Sequence, residues 1–176
     1  MCVTCQAMAN TTAPVSGLSA DCPALALDGG RGRGRGDDVV TVSFVGAGQK
    51  ADFSRFNVPS GSDEIISEGW SQYEIERTMA ALATISNYID ITFEFTTGAN
   101  ADFQMVLDSN EFPSRGSLGY FFLPGGSSYT GESMGAFNKN GYGWSTDGLR
   151  DGGLGFSTNL HEALHGLGLE LSLIHI

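Results

Sequence analysis

Residues 70–107 read WSQYEIERTMAALATISNYIDITFEFTTGANADFQMVL, and two hydrophobic periods within that run decide the fold class. Ser71 and Glu74 stand at capping-box spacing, and Trp70 with Ile75 flanks the same start as a hydrophobic staple, so a helix is predicted to begin here. Ile75, Met79, Leu82, Ile85 and Ile89 then recur every three or four residues, which predicts one buried stripe along a core helix. The period changes after it. Ile91, Phe93 and Phe95 alternate with Thr92, Glu94 and Thr96. Beyond a turn at 98–100, Phe103, Met105 and Leu107 repeat the alternation, predicting two strands.

Working outward, Val40, Val42 and Phe44 alternate with Val39, Thr41, Ser43 and Val45 as a largely buried strand would, and Gly46 and Gly48 end it. Strand, long helix, strand, strand predicts an α+β fold whose twisted, mixed and mostly parallel sheet is entered through a right-handed crossover. Residues 119–123 read as a short strand stopped by Pro124. Residues 125–155 are rich in Gly, Ser, Thr and Asn and read as mostly irregular surface, with one strand near 136–138.

The chain of 176 residues is the length of one ordinary domain with tails. With 41% hydrophobic residues and eleven Phe, there is enough apolar material to offset chain entropy, which excludes wholesale disorder. Nine basic and twenty acidic residues leave a net charge of −11, which argues against nucleic-acid binding. No run approaches the roughly 20 apolar residues that cross a bilayer, and no charged region followed by an apolar run opens the chain. Residues 1–38 lack periodicity and end with Arg31, Arg33 and Arg35 alternating with glycine, a flexible N-terminal segment and linker. Cys2 and Cys5 form a lone CxxC, either half a metal site, a redox pair or incidental thiols, and Cys22 stands apart.

One segment carries chemistry: His161, Glu162, Ala163, Leu164, His165. In a helix, residues four apart share a face and lie about 6 Å apart along the axis, so two imidazoles can grip one Zn²⁺. Glu162 projects beside them, where a carboxylate can take a proton from a metal-bound water and return it to a leaving amine. Leu160, Ala163, Leu164 and Leu167 are predicted to form the helix's buried stripe, with Ser157 or Thr158 as its N-cap. Gly168, three residues past the second histidine, is placed to end the helix in a left-handed conformation and turn the chain back.

With that glycine in place, HEALHGLGLE at 161–170 resembles the metzincin zinc endopeptidases, whose long motif is HExxHxxGxxH, and within them the serralysin-type and matrixin proteases. The resemblance spans roughly 39–170. It implies a zincin-like N-terminal subdomain with one long core helix and one active-site helix, and a secreted endopeptidase in which zinc is held by His161 and His165 and Glu162 is the general base. It implies extended polypeptide substrates pairing with the edge strand near 119–123, an extracellular location reached by bacterial type I export, and a monomer. The consensus third histidine falls at Leu171, a departure from the pattern. The final residues, LSLIHI at 171–176, resemble a translated sequencing-adapter end, so 39–170 is expected to be an incomplete protease domain and 171–176 a non-native tail, with His175 no ligand. A full relative would continue with a third histidine, a methionine turn and Gly-rich repeats that bind Ca²⁺.

Two weaker readings stand beside this one. Asp147 and Asp151, among glycines, read as a Ca²⁺ loop or, more simply, as a flexible turn. With two histidines and no third protein ligand, the chain also reads as a weakly zinc-binding or inert module.

Overall fold

The computed structural model describes residues 39–51, 65–98, 100–112, 114–122 and 133–169. The N-terminal segment with Cys2, Cys5, Cys22 and the Arg/Gly run, the end of the 119–123 strand, and the 171–176 tail lie outside the described residues. Five strands, β1 (Val39–Phe44), β2 (Thr92–Phe95), β3 (Phe103–Asp108), β4 (Gly119–Phe121) and β5 (Ser133–Asn138), form one sheet in the order β2-β1-β3-β5-β4. The four strands β2, β1, β3 and β5 run parallel, and β4 closes the far edge antiparallel to β5. With helices α1 (Gln72–Ser86) and α2 (Leu154–Gly166), this is the mixed, mostly parallel α+β arrangement expected from the periodicity.

Alternation along the strands sorts the core into two faces. Val40, Val42, Phe103, Met105, Leu107, Phe121 and Phe137 point to the side where Leu82 and Ile85 of α1 and Ala163 of α2 pack. Val106, Met134 and Ala136 point the other way, against Ala51, Ile65 and the partly buried Phe112 and Tyr120. Side chains such as Phe103, Phe137 and Leu82 are fully buried, each worth about 1.5–3 kcal/mol on removal from water.

The helix predicted after Trp70 has its cap as read: Ser71 Oγ accepts from the Glu74 amide at 3.3 Å, and Glu74 Oε2 accepts from the Ser71 amide at 2.6 Å. Its end differs. The helix stops at Ser86 with Asn87 as C-cap, so Ile89 lies beyond it and is 41% exposed, while Thr78 and Ala81 join Leu82 and Ile85 in the buried stripe. The strand expected near 136–138 instead starts at Ser133 and is buried along its whole length, the inner neighbour of β3. Its Ser-Met-Gly-Ala start lacks β-branched residues and hides in a glycine-rich run; the parallel pairing with β3 supplies what propensity does not.

Candidate metal centre

Helix α2 does not start where side-chain capping predicted. Gly153 is the N-cap, with no side-chain hydrogen bond, and Ser157 and Thr158 lie inside the helix, where Thr158 Oγ1 donates to the Leu154 carbonyl at 2.9 Å. Backbone packing sets this start. A Cβ on Gly153 would sit 2.2 Å from the Gly148 carbonyl oxygen, and one on Gly148 would sit 1.9 Å from that of Gly143. Gly148 and Gly153 therefore let main chain lie on main chain, so the irregular surface expected from this composition is a closely packed loop at this point. Asp147 and Asp151 are each taken up in an ion pair, Asp147 with Arg150 at 3.1 Å and Asp151 with Arg77, and neither belongs to a group of three candidate ligands among the described residues.

The predicted stripe holds in part: Ala163 is fully buried, and Leu160, Leu164 and Leu167, only partly buried, pack against the core from its margin. The face turned inward carries Phe156, Thr158, Asn159, Glu162, Ala163 and Gly166. Small and polar residues on this face let α2 approach the sheet closely. Gly166 is one such residue: a Cβ there would lie 2.5 Å from Phe121 Cε1, and one on Gly135 would lie 2.4 Å from Phe121 Cε2. The Phe121 ring thus sits in a slot formed by two glycines, joining edge strand β4 to the histidine helix.

His161 and His165 meet on the remaining face. Their rings stand nearly perpendicular, with Nε2 atoms 3.1 Å apart. The helix ends beside them in a double turn: the Gly168 amide donates to the His165 carbonyl at 2.8 Å and the Leu169 amide to the Leu164 carbonyl at 3.0 Å. Gly168 has φ 95°, the left-handed turn expected of it. That turn brings the Leu169 carbonyl within 2.8 Å of His165 Nδ1. Because a carbonyl only accepts, Nδ1 carries the hydrogen and donates, leaving Nε2 as the unprotonated nitrogen that faces His161 Nε2 and can bind a cation. Burial, and after it the neighbouring His165, lowers the His161 pKa and favours the neutral imidazole that a metal requires.

Glu162, expected on the face neighbouring the histidines, turns inward and is 8% exposed. It lies beside Gly119 of β4, where a Cβ would be 3.5 Å from Glu162 Cγ. Burial pushes its carboxyl up to about 7, while the Phe121 backbone N–H pulls in the opposite direction. A value near neutrality suits a group that takes and returns one proton per cycle.

The donor set fits zinc as half of a site: an Nε2 spacing of 3.1 Å is compatible with two ligands at the usual Zn–N distance of about 2.0–2.1 Å. Among the described residues no group of three His, Cys, Asp or Glu converges on one point. Leu171, at the expected place of a third histidine, lies outside them. Sequence reading missed the Leu169 carbonyl, the Phe121 slot and the ties from α1 to the loop before α2. Those ties are Tyr73 Oη to the Thr146 carbonyl at 2.8 Å, Trp144 Nε1 to Glu74 Oε1 at 2.9 Å, and Arg77 Nε to the Leu149 carbonyl at 2.9 Å. Only Gly166 and Gly135 hinted at any of this. Compared with family models and with curated proteins, the chain matches none of them.

Proposed function

We propose that this chain carries the catalytic helix of a secreted zinc-dependent endopeptidase of the metzincin type, serralysin-like, and that the reaction is hydrolysis of a peptide bond. The observation that carries the reading is the convergence of His161 and His165 Nε2 at 3.1 Å, with Glu162 on the same helical turn and its side chain buried against β4. Zinc, when bound, supplies Lewis acidity toward the scissile carbonyl and a more acidic water. His161 and His165 hold it, and the Leu169 carbonyl keeps the His165 ring in the tautomer that presents Nε2. Glu162 accepts a proton and passes it to the departing amine, and its buried position beside β4 keeps bulk water away from that proton.

The substrate class is an extended polypeptide. β4 lies at the end of the sheet order beside α2, with the Phe122 N–H and the Leu118 carbonyl bonded to β5, so the backbone groups of Gly119 and the Phe121 carbonyl face away from β5, while the Phe121 N–H is taken by the Glu162 carboxylate. An incoming strand would pair there.

A second reading is favoured by the absence of a three-donor group among the described residues: a weakly zinc-binding, non-catalytic module in which one imidazole N–H bonds the other's Nε2. Zinc titration with casein hydrolysis separates the two. The protease reading expects hydrolysis that requires zinc and is lost in Glu162→Ala with zinc still bound. Zinc uptake without hydrolysis in the parent chain supports the module.

A further inference from the structure

We infer that Arg77, on the core helix and outside the histidine motif, is a positioning residue that sets the axis of α2 and so the convergence of His161 and His165. This rests on the metal reading above. One guanidinium engages three parts of the approach to α2: Nε donates to the Leu149 carbonyl at 2.9 Å, an Nη pairs with Asp151, and the cation lies 5.4 Å from the centroid of the Phe156 ring. Phe156 is in the first turn of α2 and is 6% exposed; Leu149 is 1% exposed. The three contacts use what distinguishes arginine from lysine, a rigid planar fork and a face that stacks on an aromatic ring.

The anchoring of α2 makes Arg77 a matter of position as well as of stability. Gly153 gives its start no side-chain cap, so the first turn relies on contacts from elsewhere. At the other end, Gly166 is pressed against Phe121 and Phe103. A helix is a stiff rod, held at its start by the packed glycine loop together with Arg77 and at its end by the Phe121 slot. With the Arg77 anchor removed, α2 can pivot about the Phe121 slot, and side chains on its outer face, His161 foremost, are displaced. A metal grip is sensitive to displacements well under 1 Å.

The test uses the full chain, with Co²⁺ alone as probe, its visible absorption reporting imidazole ligation, and NMR of the imidazole rings in metal-free protein. Arg77→Met keeps the apolar stem, Arg77→Lys keeps the charge, and Ile85→Val trims the same helix within the core. The expected result is Co²⁺ binding at least tenfold weaker in Arg77→Met, intermediate in Arg77→Lys and unchanged in Ile85→Val. The His161 ring signals shift in the same order. Asp151→Asn, at an exposed carboxylate, gives a smaller shift in the same direction and serves if Arg77→Met does not fold. Ring signals in Arg77→Met or Asp151→Asn identical to those of the parent chain overturn the inference, whatever cobalt does. Shifted ring signals in a protein whose parent chain takes up no cobalt uphold the clamp and overturn the metal reading.

Discussion

The two helices pack against one another and against one face of the sheet, yet they are held by opposite means. Helix α1 carries its own instructions: a reciprocal cap at Ser71 and Glu74, and a stripe of Ala81, Leu82 and Ile85 that needs only a core to lie on. Helix α2 starts at an uncapped glycine, buries Asn159 and Glu162, and keeps glycine in its last turn. Its order is supplied from outside, by the packed glycine loop before it, by Arg77, by the Phe121 slot and by the Gly168 turn. A helix with no side-chain cap, buried polar residues and a glycine in its last turn gives up local stability, which its neighbours must restore.

The largest way to sharpen this contrast is pH. In metal-free protein the folded Glu162 carboxyl titrates near 7 against 4.5 when unfolded, so the folded state holds its proton more tightly. The sign follows. The stability this contributes is complete below pH 4.5 and is lost as pH rises to about 7, a change on the order of 3 kcal/mol. Glu162→Gln removes that slope in urea unfolding curves. A slope of equal size in the variant breaks the account of its burial.

Next in size is Gly166→Ala. Helix propensity alone favours alanine by about 1 kcal/mol. A Cβ at 2.5 Å from Phe121 Cε1 and 2.8 Å from Phe103 Cζ reverses the sign, and a net loss of about 1–3 kcal/mol is expected in thermal unfolding. A stabilised variant would mean that the slot is loose and that β4 does not hold the helix.

The smallest effects compare the two starts directly. Ser71→Ala costs about 1 kcal/mol, because the cap of α1 is real. Ser157→Ala, at an exposed position inside α2, stays within about 0.5 kcal/mol. Equal losses at the two serines would restore the N-cap that the sequence predicted for Ser157.

The same contrast explains what could be read in advance. The α1 cap, the alternation of β1 and β3, the histidine spacing and the turn at Gly168 depend on neighbours within four or five residues, and periodicity or spacing exposes such signals. The buried start of β5 at Ser133, the uncapped start of α2 and the inward turn of Glu162 depend on partners from other elements, which no local window contains. Glycine misled most. In 139–153 and at Gly135 it reads as irregular surface, whereas Gly148, Gly153 and Gly135 allow main chain or an aromatic ring to approach closely. Ile89 continued the period of α1 but fell past its end, because Asn87 caps the helix through its backbone amide to the Ile85 and Thr84 carbonyls.

The central claim is that His161 and His165 act as a pair on one cation. NMR of the imidazole nitrogens during titration with Zn²⁺ tests it most directly. The account predicts that both Nε2 resonances move together and saturate at one zinc per chain, that His165 Nδ1 stays protonated, and that alanine at either histidine abolishes the response of the other. Nε2 resonances that ignore zinc, or that respond independently of each other, would contradict it.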